Sequence, residues 1–599
     1  MKTIKYIIAL GMGLMLMTAC EDTVLNLEDP GSPTDATFFQ TEAQLEVALA
    51  GAYQSLNYVS SVPFPQILDH ATDYAFNRGN VAGTVDATTG GLTSTGNLNN
   101  GFWSRFYTGV QRTNNLLTNM GKAEAVADSQ RFNQIRGEAL FLRAFFYSYL
   151  IELFGDVPFH TEVTTTLEDL GIAKTPKAEI VASLVSDLEE AADLLPAVQP
   201  SSGRGRASAN AANALIARIA LYNSDYAIAE SAALKVMNAD QAPSLFPDYE
   251  ALFTDAGVGS SEVLLDMSYT NGTQTHGLSQ RQGTRFGGWC QYVPAQQTVD
   301  SYETINGLPI DEDPAYDPAN PFENRDPRLK ASIVIPGEVW TGHVIQQHSD
   351  SIATWRVENG VNVERVFNVN AANPAGREIV DPVDGAQYVT GGSNRFTSFT
   401  GYFWKKFSDE PFLMGEGSPL ESEQPIYLIR FAEVLLNYAE AKIEAGTIDA
   451  SVLDAINQVR ERAYNGSGIS YPEVTTTDQA ELRTIIRRER KVELADEGLR
   501  LFDIRRWGIA EKVMNTTLLG GPANGFSKIG GEMGFVPAID QDGFIDYSGA
   551  PSQPRVELGN LDFRELEVRV FNANRDYLWP IPQAEIDATD GVVTQNSGY

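Results

Sequence analysis

The sequence predicts a mainly α protein in which helical hairpins stack into a scaffold, interrupted by a large irregular, loop-rich region. Long stretches toward both ends place apolar residues at alternating spacings of three and four, the period of one helix face. Two of these stretches read as helix–turn–helix pairs with small residues where helices must approach closely. Between residues 241 and 424 that period disappears, and Gly, Pro, Asn, Thr and aromatic residues dominate. The 599 residues are 43% hydrophobic and 10% aromatic, enough for a large core and too apolar for wholesale disorder.

The chain opens with an export signal. Lys2 and Lys5 precede an apolar run from Tyr6 to Met17, too short to span a bilayer, which needs roughly 20 apolar residues, but suited to a secretory h-region. The run ends Leu16-Met17-Thr18-Ala19-Cys20, which resembles a bacterial lipoprotein signal with Cys20 as the acylated residue; Met17 stands where Leu is usual. The acidic, turn-rich stretch from Glu21 to Pro33 reads as a solvated tether. Two or more acyl chains hold a protein firmly to a membrane, at about 0.8 kcal/mol per buried CH₂.

Charge and cysteine content exclude several functions. With 78 acidic and 44 basic residues the formal net charge is −34, which repels nucleic-acid backbones at long range. Cys290 is the only other thiol, so processing at Cys20 leaves neither an intramolecular disulfide nor a paired-cysteine zinc site. The five histidines are scattered, and no metal or cofactor is expected.

Taken in order, Phe132–Leu153 carries an apolar stripe widened by Leu140, Phe141, Phe145 and Leu150, which predicts a helix buried nearly all round and stopped by Gly155 and Pro158. Ile180–Leu195 is a second amphipathic helix. Ala207–Leu221 and Tyr226–Met237 form a hairpin whose Ala229 and Ala233 resemble the close-packing positions of a tetratricopeptide repeat. Ile426–Ala445 with Val452–Ala463 repeats the plan, and Tyr427 to Arg460 spans 34 positions, the tetratricopeptide length. Less regular pairs are 42–57 with 103–120 and 132–153 with 178–195. Stacked hairpins of this kind cover one another's apolar faces. In the irregular region, Ser332–Ile335 and Val361–Val366 read as short extended pieces. Arg487–Lys491 looks basic, but Glu489, Glu493 and Glu497 recur at spacing four, which predicts intrahelical pairs and packing. Gly203-Arg204-Gly205 lacks the Lys-Ser/Thr of a phosphate loop and reads as a plain loop, and Asp311-Glu312-Asp313 reads as solvated charge.

Several segments together resemble the SusD/RagB family of outer-membrane nutrient-binding, starch-binding-like lipoproteins. They are Phe38-Phe39 with Gly51-Ala52-Tyr53, Arg136–Ala144 running to Leu153–Pro158, Gly205-Arg206-Ala207, Asp326–Leu329, Ile426–Glu440, Arg488–Gly508 and Leu578–Pro582. The resemblance implies a mainly α fold of tetratricopeptide-like helical hairpins forming a scaffold, with a large irregular loop-rich ligand-binding region. It also implies a surface-exposed lipoprotein of the outer membrane that binds oligosaccharide or another nutrient and delivers it to a SusC-like TonB-dependent channel without catalysis. The expected layout is a lipoprotein signal peptide over 1–19, an acidic tether over 20–37, an N-terminal SusD-like helical region over 38–240, the ligand-binding region over 241–424, and a C-terminal SusD/RagB helical region with closing loops over 425–599.

Glycan binding needs flat apolar surfaces for sugar C–H faces and planar polar groups for hydroxyls. The candidates are the aromatics Tyr74, Trp289, Tyr292, Trp340 and Trp355, with Asp73, Asn77 and Arg78 as hydrogen-bonding groups. Each aromatic has an alternative role as core under a long loop. A surface glycoside hydrolase is the rival function; it needs two carboxylates roughly 5–5.5 or 6.5–9.5 Å apart, which no motif marks. A scaffold that binds only protein is the third reading.

Overall fold

In a computed structural model, the described residues are 38–57, 62–164, 171–270, 272–282, 288–335, 338–340, 343–347, 351–358, 361–368, 377–380, 387–390, 400–408, 418, 420–521, 535–550, 552–554 and 563–599. The signal over 1–19, Cys20 and the tether over 20–37 lie outside them. No helix among the described residues is long and apolar enough to cross a membrane.

Among the described residues, ten helices build the scaffold: α1 (Glu42–Tyr53), α2 (Asn97–Asn119), α3 (Ser129–Phe154), α4 (Lys177–Leu194), α5 (Ala209–Tyr222), α6 (Tyr226–Met237), α7 (Phe431–Ala445), α8 (Ala450–Tyr464), α9 (Gln479–Glu493) and α10 (Arg500–Arg506). From α2 to α8 each helix packs on the next, and α7 also packs on α9. The two helical regions therefore stack directly, through α6 against α7, while the irregular region loops out between them. Asp128, Ser208, Asp225, Asp449 and Asp478 each accept a backbone N–H at a helix start, and Gly446 ends α7 with φ +71°. As the sequence predicts, α3 is buried on nearly every side from Gly137 to Phe154. Alanines keep the α5–α6 contact close, with Ala229 and Ala233 fully buried.

One expected helix starts late. Ile426–Arg430 is a strand, β10, which pairs antiparallel with β2 (Val263–Met267), and α7 begins only at Phe431. The run Ile-Tyr-Leu-Ile is buried on both faces, a strand environment that overrides the helical spacing. The irregular region also holds more order than its sequence suggests. Its strands include β3 (Tyr292–Pro294), β4 (Ile333–Val334) and a four-stranded antiparallel sheet of β5 (Val339–Trp340), β6 (His343–Gln347), β7 (Ser351–Glu358) and β8 (Val361–Asn368). β9 (Phe403–Trp404) pairs with β4.

The charges of α9 are not paired within the helix as their spacing implies. Glu493 accepts from Arg430 at 2.7 Å, Arg328 at 3.0 Å and Arg462, while Glu489 takes Arg328 at 2.6 Å and Arg460 at 2.9 Å. Glu497 binds Arg430 and Lys406, at 2.6 and 2.8 Å, and Glu262 adds bonds to Arg430 and Arg462. All these groups are buried. Burial alone would raise the Glu493 carboxyl; Arg462, Arg430 and Arg328 outweigh it and hold it well below the usual range. Asp313 is likewise no solvated charge, since it is buried and accepts from Thr304 Oγ1, Asn306 Nδ2 and the Ala315 N–H.

Candidate functional site

The sequence candidates converge on a two-stranded ribbon. β1 (Ala75–Asn77) runs antiparallel to β3, with Ala75 opposite Pro294, Phe76 opposite Val293 and Asn77 opposite Tyr292. The ladder extends one step further, where the Arg78 N–H donates to the Gln291 carbonyl at 3.1 Å. At the other end Ala295 N–H donates to the Tyr74 carbonyl at 2.9 Å. The ribbon separates two apolar clusters. Tyr74 and Ala75 belong to one with Tyr302, Tyr402 and Trp404; Phe76 and Val293 belong to another with Cys290, Val334 and Phe403.

Four candidates form the rigid backing of this ribbon. Asp73 is buried in a bidentate pair with Arg500, both contacts at 2.9 Å, and lies 3.2 Å from the Lys491 ammonium. Burial would raise its carboxyl, but Arg500 and Lys491 prevail and hold it far below the usual range; burial in turn pushes Lys491 down to about 8. Tyr74 is 1% exposed, its hydroxyl donates to the Lys491 carbonyl, and the Arg500 guanidinium lies 5.6 Å from its ring centre. Asn77 is buried, donates to Thr84 Oγ1 at 2.5 Å and accepts from the Gly79 N–H at 3.2 Å. Tyr292 is 1% exposed and stacks on His70, with ring centres 4.5 Å apart at 21°. None of these four presents an open ring face or a free hydrogen-bonding edge to solvent; their side chains are spent on the interior.

Three candidates keep partial exposure. Arg78, Trp289 and Trp340 are half-buried. The backbone N–H of Trp289 donates to the Gln280 carbonyl at 2.8 Å, and its chain neighbour Cys290 is buried. Trp340 packs against the cluster of Phe76, Cys290 and Val293. Trp355 pairs with Val344 and Glu364, one row along from the row of Trp340, His343, Arg356 and Val363. The side chain of Trp355, also a sequence candidate, lies outside the described residues. Sequence reasoning missed the groups that hold the backing in place, namely His70, Lys491 and Arg500. Arg500 lies 427 positions from Asp73, and no local pattern connects them. Among the described residues no group of His, Cys, Asp and Glu could hold a metal ion.

A stacked-hairpin scaffold with a loop-borne two-stranded ribbon and half-buried tryptophans defines a class of helical-repeat proteins. Comparison with known proteins gives the family. The model of the SusD family matches residues 252–599, and a model described as "Starch-binding associating with outer membrane" matches residues 25–221. This chain belongs to the SusD family. It is 26% identical to SusD-like protein P2 of Formosa agariphila, covering 99% of this chain and 100% of that one. SusD-like protein P38 of the same organism is 25% identical, over 88% of this chain and 94% of its own length. Among solved structures, a SusD-like carbohydrate-binding protein from Bacteroides fragilis superposes with a TM-score of 0.73 and 27% identity, covering 93% of this chain and all of that one. A laminarin-binding SusD-like protein shares the fold with a TM-score of 0.62 at 20% identity, covering 94% of this chain and 100% of its own.

Proposed function

We propose that this protein captures oligosaccharide at the open end of the β1–β3 ribbon and hands it unchanged to a TonB-dependent outer-membrane channel. It does so from the cell surface, where acyl chains on Cys20 hold it to the outer membrane. The observation that carries this reading is the division of labour at the ribbon. Asp73, Tyr74, Asn77 and Tyr292 are buried, while Trp289, Trp340 and Arg78 stay half-buried. An indole face stacks on sugar C–H groups, and a guanidinium donates to hydroxyls in a fixed plane. A stiff support lowers the ordering cost of binding. Family membership, structural relatives named as carbohydrate- and laminarin-binding and the outer-membrane description of one matching family model support the same reading.

One feature of Asp73 supports a reading without catalysis. A glycosidic general acid needs a carboxyl whose affinity for its proton is raised. Asp73, the acidic candidate at the ribbon, is held in the opposite direction by Arg500 and Lys491. The test is calorimetric titration of the purified protein with maltoheptaose and laminarihexaose, with reducing ends counted after prolonged incubation. The expected result is saturable binding in the micromolar-to-millimolar range, about −8 to −4 kcal/mol, with no new reducing ends. Turnover assigns a hydrolase instead. Retained channel capture with no affinity for any glycan assigns a protein-binding scaffold.

A further inference from the structure

A second cleft lies away from the ribbon, at the C-terminal end of α8. The chain leaves that helix through Asn465-Gly466-Ser467-Gly468-Ile469-Ser470-Tyr471-Pro472. Gly466 and Gly468 take φ of +79° and +73°, a left-handed backbone that glycine adopts without steric cost. Between them, Ser467 Oγ donates to the Tyr464 carbonyl at 2.6 Å and accepts from the Ile469 N–H at 3.1 Å. The loop's return is pinned as well. The Asn457 side chain exchanges two hydrogen bonds with the backbone of Val474, at 3.0 and 2.8 Å. Asn465 Nδ2 donates to the Pro247 carbonyl at 2.9 Å, which clips the loop to the facing wall over 243–247. The result is a preformed cleft of about 1020 Å³, at the upper end of the range for ligand pockets.

Its lining has the chemistry of a polyol site. Tyr471 contributes a half-buried ring, and burial together with the charges of Glu473 and Glu461 pushes its hydroxyl up. Among the described residues neither of these carboxylates has an ion-pair or hydrogen-bond partner, and the Gln458 amide that lines the same cleft has none either. The floor holds two buried polar atoms without partners, the Tyr464 hydroxyl and Arg462 Nε, in residues 4% and 6% exposed. Ionised acceptors form strong bonds with hydroxyl donors, and an aromatic face covers a pyranose ring. Arg462 is already neutralised by Glu262 and Glu493, and the two lining carboxylates of a chain with net charge −34 oppose an anion.

We propose that this cleft is a second carbohydrate site, for a neutral oligosaccharide, with Tyr471 as the stacking face and Glu461, Glu473 and Gln458 as partners of its hydroxyls. The assignment rests on the carbohydrate-binding reading of the protein. The experiment is calorimetry on the full chain with maltoheptaose and laminarihexaose as probes, comparing wild type with Tyr471→Ala, Glu461→Gln/Glu473→Gln and Trp289→Ala. Thermal melting serves as the folding control. The inference expects two ligands per chain in the wild type and one in Tyr471→Ala. It expects Trp289→Ala to remove the other site, and the double Gln variant to bind about tenfold more weakly at the second site with an unchanged melting temperature. A single site that is lost in Trp289→Ala and untouched by Tyr471→Ala overturns the second site and leaves the ribbon reading standing. Absence of binding by either probe overturns both. A cleft that takes hexalysine in a salt-sensitive, Glu461- and Glu473-dependent manner, but no sugar, also overturns it and assigns the surface to a basic peptide.

Discussion

Both the α9 lattice and the open end of the ribbon are built around charged and aromatic side chains, and they use them in opposite ways. Around α9, Glu489, Glu493 and Glu497 are buried and each meets two or more cations drawn from other elements. At the ribbon the ion pair of Asp73 with Arg500 is buried, while Arg78, Trp289 and Trp340 stay half-buried. On the proposed reading, charge saturated from within makes a scaffold, whereas half-exposed aromatic rings beside a saturated support make the sugar site. Removing a lattice residue should therefore cost folding, and removing one of these rings should cost affinity.

The largest effect is expected at Glu493. Glu493→Ala leaves Arg328, Arg430 and Arg462 short of a counter-charge in the interior, a loss of about 3–5 kcal/mol. Chemical denaturation should show it as a shifted midpoint; a melting curve like the wild type would break the distinction from the lattice side. Asp73→Asn sharpens it, because Asp73 belongs to the buried backing of the ribbon. Two cations lose their carboxylate, so stability should drop by about 2 kcal/mol while affinity for oligosaccharide falls only slightly. An affinity loss as large as that of Trp289→Ala, with no loss of stability, would make Asp73 a ligand contact.

Titration separates the regions further. The Glu493 carboxyl is held below its ordinary 4.5, so its contribution is complete above that pH and is lost as pH falls beneath it. Asp496 runs the other way, since burial raises it to about 6 against an opposing pair with Arg281. Its carboxylate is a cost at neutral pH that protonation relieves as pH falls through 6. Melting temperature should therefore hold or rise slightly from pH 7 toward about 5 and then drop steeply below about 4.5. Asp496→Asn should remove the upper feature and keep the acid drop. A decline that begins at pH 6 would contradict the assignment.

Much of the scaffold was legible in the sequence. Periodicity located α3 to α6 within a few residues, and the alanine spacing of Ala229 and Ala233 marked the close contact of α5 with α6. It failed at Ile426–Arg430, where pairing with β2 buries both faces of a segment whose spacing suits a helix. The Arg–Glu run of α9 was visible, but its partners were not, because ion pairs formed across the fold leave no local pattern. The site was half legible for the same reason. Residue type and loop position singled out Trp289 and Trp340 together with Tyr74 and Tyr292, yet only the pairing of β1 with β3 separates the two half-exposed rings from the two buried ones.

The central claim is that the ribbon's open end holds sugar through Trp289. It is tested most directly by calorimetric titration of Trp289→Ala with an oligosaccharide that the wild type binds, alongside its melting curve. The account predicts an affinity loss of about tenfold or more, roughly 1.4 kcal/mol, with a melting temperature close to that of the wild type. Unchanged affinity with a lowered melting temperature would show that Trp289 is core and that the sugar is held elsewhere.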